Sequence, residues 1–181
     1  MKVVRLCAAA AALVSGLVLV SCNSDTPTGP SITGNTYNNP ALKFQITVPD
    51  GWTMTQDTSY SEQTYFLHGS DTAGMPRFNI VSRNHMSDFR VDTLLLGTSA
   101  AIEGAVSDFE VVTLPDTLLI DGKLAAEMMY TFTSEGVPMQ SKMLYMVHNG
   151  RDLVMTIFDV QQYYAYHEAV INQLISSIEL Q

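Results

Sequence analysis

LLIDGKLAAEMMYTFTSEGVPMQSKMLYMVHNGRDLVMTIFDV, residues Leu118 to Val160, carries three turn dipeptides, Asp121-Gly122, Glu135-Gly136 and Asn149-Gly150, each set between apolar runs. Asp-Gly and Asn-Gly favour type I′ turns, where both central residues take positive φ and the backbone twist suits a hairpin. The spacing predicts strands over about 110–120, 123–133, 137–148 and 151–160, forming an antiparallel meander. In the second strand Leu124, Ala126, Met128, Tyr130 and Phe132 share one face, and Ala125, Glu127, Met129, Thr131 and Thr133 the other. The first is read as the core face. Pro115 cannot donate to a ladder, so the first strand is bent, lies at an edge, or is two shorter pieces.

Upstream, Phe44, Ile46 and Val48 alternate with polar residues before Pro49-Asp50-Gly51 turns the chain into Trp52. Further strands are predicted over Thr64–His68 and Arg77–Arg83, joined by a loop from Gly69 to Gly74. The period then lengthens, and Asp92 is placed as the N-cap of a helix running to about Val106, with Leu94, Leu95, Thr98, Ala101, Ile102 and Ala105 as its apolar stripe. Downstream, a helix over about Tyr163–Ile178 carries two rows, one through Tyr163, Tyr166, Val170 and Leu174 and one through His167, Ile171, Ile175 and Ile178. Tyr163, Tyr164 and Tyr166 cannot all face one core, and Tyr164 is the one expected outside, free to contact a partner. The fold class is α+β, an antiparallel sheet flanked by helices in an α/β/α sandwich.

The N-terminal end reads as a processing segment. Lys2 and Arg5 precede an apolar run from Ala8 to Val20, which closes in the lipobox Leu19-Val20-Ser21-Cys22. The run is too short to span a bilayer comfortably, since roughly 20 apolar residues are needed. Residues 1–21 are therefore assigned as a lipoprotein signal peptide, and Cys22 as the lipidated first residue of the mature chain. Residues 22–40, rich in Pro, Gly, Asn and Thr, read as a flexible tether, and 41–181 as one domain. Cys7 leaves with the signal and Cys22 is consumed by lipid, so the domain folds without a disulfide or a Cys ligand. The expected location is extracytoplasmic and lipid-anchored. Asn23 follows the lipidated residue where inner-membrane retention favours Asp, which points to the outer membrane, facing the periplasm or the cell surface.

Of the 181 residues 46% are hydrophobic and 15% charged, which excludes disordered, collagen-like and disulfide-scaffold chains. Without Lys2 and Arg5, seven basic residues stand against 18 acidic ones, a mature charge of −11. That balance argues against nucleic acid as a partner. The acids are scattered and read first as a solubilising surface.

The opening Phe44-Gln45-Ile46-Thr47-Val48-Pro49-Asp50-Gly51-Trp52 resembles the first strand and Pro-x-Gly-Trp turn of the PsbP-like superfamily, which spans photosystem II extrinsic proteins and DcrB-like lipoproteins. Ile120-Asp121-Gly122, Tyr145-Met146-Val147 before Asn149-Gly150, Leu153-x-Met155-x-Ile157, Tyr163-Tyr164 and Ile175-Ser176-Ser177-Ile178 are similar in order and spacing. The resemblance covers about Pro40 to Gln181. It implies an antiparallel sheet between helices, in a family known mostly for binding and assembly.

No nucleophile elbow, phosphate-binding glycine loop, EF-hand-like loop or paired-His zinc motif is present. His68 with Asp71, and His85 with Asp88, are weak candidate metal ligands. Without Cys or His-x3-His spacing no metal or other cofactor is assigned. Six methionines in the meander, Met128, Met129, Met139, Met143, Met146 and Met155, are read as core fillers rather than a soft-metal site. Trp52 is read as a core anchor. The expected function is a non-catalytic binding or assembly module of the bacterial cell envelope, joined to the membrane through Cys22 and to an envelope protein. The chain is not expected to be an enzyme. The alternative is a lipoprotein that binds a small molecule or divalent metal in a pocket between sheet and helix, while an envelope hydrolase would need Ser and His within hydrogen-bond reach.

Overall fold

The computed structural model describes residues 29–57, 65–71, 75–85 and 88–181. The signal segment and Cys22 lie outside them, as do Thr64, where the second predicted strand begins, and residues 72–74 of the predicted loop.

The meander forms as the turn dipeptides require. Strands β7 (Ser107–Ile120), β8 (Lys123–Ser134), β9 (Val137–His148) and β10 (Arg151–Val160) pair in succession, all antiparallel. The closing pairs Ile120–Lys123, Ser134–Val137 and His148–Arg151 leave two-residue loops. Both residues of every loop take positive φ, 46° and 73° at Asp121-Gly122, 51° and 79° at Glu135-Gly136, 49° and 71° at Asn149-Gly150. These are the backbone angles that type I′ turns need. Pro115 lies in β7, an edge strand whose register slips on either side of Thr113, so the missing donor is absorbed by irregular pairing at the rim.

Beyond β10 the sheet continues through β6 (Arg77–Asn84), β5 (Tyr65–Ser70) and β4 (Thr53–Asp57), giving the order β4-β5-β6-β10-β9-β8-β7. One face carries α1 (Val91–Glu103), whose Val91 and Leu95 meet Ala126, Met128, Tyr130, Met143 and Tyr145. The helix starts after Arg90, two residues earlier than predicted. Asp92 sits in its first turn, accepting the Thr93 amide at 2.8 Å and the Arg90 guanidinium at 3.1 Å. The opposite face carries α2 (Gln161–Ser176) and a second sheet, β1-β2-β3-β11, over Phe78, Leu144, Met146, Leu153, Met155 and Ile157. This is the α+β architecture expected, with helices on both faces. Both faces of β8 contribute to the cores, since Ala125 and Ala126 are each fully buried on opposite sides.

The methionines divide in the same way. Met146 and Met155 belong to the α2-side core, Met128 and Met143 to the α1-side core, and all four are at most 1% exposed. They fill two separate interiors and do not converge.

The tether reading is corrected for its second half. Residues Ser31–Thr33 (β1) and Thr36–Asn39 (β2) form a hairpin around Gly34-Asn35, with β2 paired to β3 (Phe44–Thr47). Tyr37, 2% exposed, packs into the α2-side core and tilts against Phe44 at 6.4 Å. Asn39 is wholly buried, its amide donating to the Tyr37 hydroxyl and its carbonyl oxygen accepting the Leu42 amide. Polar composition disguised these strands, because one large aromatic and a satisfied asparagine do the burying. The short β4 and β11 (Glu179–Leu180) were also unforeseen, and β11 exists because its backbone pairs with β3.

Candidate functional site

The turn Pro49–Trp52, the residues Asp71 and Pro76 flanking the β5–β6 connection, and the first half of α2 enclose a cleft of about 420 Å³. Its base is Trp52, 8% exposed and stacked on Phe78 with centroids 6.0 Å apart and planes at 29°. One wall is Tyr166, 84% exposed, standing edge-on to His167 at 5.0 Å. His167 is held from behind, its Nδ1 at 2.5 Å from the Asp159 carboxylate, which is fully buried and also accepts the Val160 amide at 2.7 Å. The other wall brings two carboxylates. Asp50 accepts from Asn35 of the β1–β2 turn at 2.9 Å, and Asp71 from the Met75 amide at 2.7 Å. No lysine or arginine lines the cleft among the described residues. An exposed aromatic face in the same cleft as two carboxylates suits a cation, through ring quadrupole and charge together.

This arrangement corrects the tyrosine expected to meet a partner. Tyr164 is 3% exposed and belongs to the core, while Tyr163 and Tyr166 stand in solvent at 52% and 84%. The reason is helical phase. Tyr164 precedes the fully buried Ile171 by seven residues, about two turns, and so shares its face, whereas Tyr166 precedes it by five and is rotated about 140° away. Burial pushes the Tyr164 hydroxyl well above its ordinary range, with the fields of Glu168, Glu127 and Asp159 adding to it. Its oxygen has no hydrogen-bond partner among the described residues.

The four residues of the histidine–acid pairs named as weak metal ligands take different surroundings. Asp71 lines the Tyr166 cleft, but His68 lies in another open cleft, beside Thr53, Thr55, Ser70, Arg77 and Asn79 on the β4-β5-β6 surface. His85 turns to Asp152, at 2.6 Å, rather than to Asp88, which is exposed. No group of three His, Cys, Asp or Glu side chains is placed to hold a metal among the described residues. Of the other histidines, His148 meets the carbonyl of Lys43 at 3.1 Å and His167 meets Asp159, so none of these three contacts is with a serine.

Asp152 is the centre of a polar cluster that the sequence did not disclose. Arg83 Nε donates to it at 3.1 Å, and the same guanidinium lies 5.9 Å from the centroid of the Tyr145 ring. Burial works to raise the Asp152 carboxyl, but hydrogen bonds from Tyr145, His85 and Arg83 outweigh it and hold the group below the usual carboxylate range. Burial in turn pushes the Tyr145 hydroxyl up to about 12. A carboxyl depressed in the folded state contributes stability above its unfolded value, and that contribution is lost as pH falls through the folded one. Asp152→Asn is therefore expected to flatten the acid limb of stability. The urea midpoint of the parent should fall more steeply than the variant's below about pH 4, and parallel profiles would contradict the assignment.

No family model and no curated protein sequence matches the chain. Its fold is that of the PsbP-like proteins. The solution structure of cyanobacterial PsbP (CyanoP) from Synechocystis sp. PCC 6803 superposes with a TM-score of 0.60 at 11% identity, over 90% of this chain and 99% of that one. A Pseudomonas aeruginosa protein of unknown function aligns with a TM-score of 0.51 at 12% identity, over 82% and 95% of the two chains. A Bacteroides thetaiotaomicron protein gives 0.54 at 14% identity, covering 83% of this chain and 49% of its own. These likenesses establish the architecture.

Proposed function

We propose that the chain is a non-catalytic binding module of the cell envelope, anchored by lipid at Cys22, whose Tyr166 cleft docks a basic segment of another envelope protein. The observation that carries the reading is Tyr166, the most exposed of the large apolar side chains described, set on a cleft that also presents Asp50 and Asp71. Tyrosine offers a large, rigid contact surface, and such residues are favoured anchors at protein interfaces. A lysine or arginine stacked on the ring would find a carboxylate within the same cleft, and the mature chain's charge of −11 draws a basic partner from a distance.

Because β1 begins at Ser31, the folded part of the chain starts within nine residues of Cys22, closer than the 22–40 tether read from the sequence. The turn between β1 and β2 stands at the rim of the cleft through the Asn35–Asp50 hydrogen bond. The cleft is thus kept near the membrane to which Cys22 is bound, in reach of a partner at that surface.

Crosslinking in intact envelopes followed by purification tests this. Tyr166→Ala should lose most of the recovered partner, Tyr166→Phe should keep it because the ring face remains, and recovery should fall with added salt. Thermal stability should barely move, since exposed substitutions usually stay within about ±0.5 kcal/mol. Undiminished recovery with Tyr166→Ala, or recovery indifferent to salt, would refute the cleft as the docking site.

A further inference from the structure

A second cavity, of about 460 Å³, opens between the far half of α2 and the β7-β8-β9 part of the sheet. That size lies within the range of small-molecule sites, about 300–1,000 Å³. Leu118, Ile120, Ile175 and Ile178 give it an apolar wall. Lys142 enters from β9, on the same face as Leu144 and Met146 and only 8% exposed. Its ammonium has one partner among the described residues, the Glu127 carboxylate at 3.5 Å. An ammonium carries three N–H donors. Beyond Glu127, at least two of them remain available to whatever fills the cavity.

Charge decides the kind of head group that answers them. Glu127 already balances Lys142, and Asp121, whose carboxylate accepts the Leu180 amide at 2.7 Å, adds a second acid to the lining. The lining thus holds one cation and two carboxylates. An anionic head would enter a site that is already net negative. A neutral oxygen accepts from Lys142 without that repulsion, and Asn172, exposed at the rim, adds an amide that can donate and accept.

We propose that this cavity is a binding site for an uncharged amphiphile, an apolar chain against Leu118, Ile120, Ile175 and Ile178 with a hydroxyl, ester or amide oxygen on Lys142. The site is separate from the Tyr166 cleft and stands or falls independently of it.

The test is an amide-shift titration with 1-octanol and with octanoate, which share a chain length and differ in head charge. Both hydrophobic cores lie between Tyr37 and Leu180, so a chain beginning at Asn23 keeps every residue of them and serves as the sample. Saturable shifts at Asp121, Asn172 and Ser176 are expected with 1-octanol, and binding about tenfold weaker or more with octanoate. Lys142→Met should weaken 1-octanol binding about tenfold, its fold checked by circular dichroism. Asn172→Trp, which fills the mouth from an exposed position and leaves Lys142 in place, should abolish the shifts, and Tyr166→Ala should leave them unchanged. Octanoate binding as tightly as octanol, absence of saturation with both, undiminished octanol affinity in Lys142→Met, or an unaltered titration in Asn172→Trp would each overturn the assignment.

Discussion

Trp52→Ala is expected to cost the fold about 3–5 kcal/mol, read as a large fall in the urea midpoint at unchanged slope. The indole is one link in a continuous packing chain. It stacks on Phe78, which is 1% exposed, and both belong to the core that α2 and the smaller sheet close over the β-sheet. Removing it leaves a void that cannot collapse easily, since Phe78 is fixed in β6 by pairing to both β5 and β10. The loss would also reach the proposed docking cleft, which Trp52 lines. A midpoint within experimental error of the parent would mean that the ring contributes surface rather than core.

What the sequence disclosed follows from the range of the interactions involved. Asp121-Gly122 and Asn149-Gly150 specify their turns through two adjacent residues, so strand boundaries around them were legible without any tertiary information. Pro115 announced an irregular edge for the same reason, having no donor to give. Tyr164 was misplaced because three tyrosines in four residues offer several phases, and only Ile171, a heptad later, selects the right one. The signal was there to be read. Lys142 likewise falls in alternation with Leu144 and Met146, which marks it as inward-facing, but its pairing with Glu127 depends on the β8–β9 register. The partner of His85 lies 67 residues away, and no local pattern could prefer Asp152 over the nearby Asp88. The first hairpin escaped for a compositional reason: Thr36-Tyr37-Asn38-Asn39 buries alternate residues, but one of them is an asparagine.

Gly69 shows how far a local reading can mislead and what a sheet position can require instead. The predicted loop begins at this residue, yet it lies inside β5, paired with Phe78 of β6. Its φ is not among the positive ones, so conformational freedom is not the reason for glycine here. Space is. A Cβ at this position would stand 2.1 Å from Phe78 Cε1 and 2.6 Å from Cζ, far inside contact distance, because the ring that stacks with Trp52 also lies over the glycine. Gly69→Ala is therefore expected to destabilise by about 1–3 kcal/mol or more, the range of overpacked cores, although alanine is otherwise harmless in a strand. The same geometry predicts coupling. With Trp52 removed, the Phe78 ring can retreat into the vacated space, so Gly69→Ala should cost less in the Trp52→Ala background than in the parent, by about 1 kcal/mol. Urea titrations of the two single variants and the double variant measure that difference directly. Strict additivity would mean that Phe78 does not transmit strain between the two sites, and that the close approach at Gly69 is relieved by backbone movement within β5 and β6 instead.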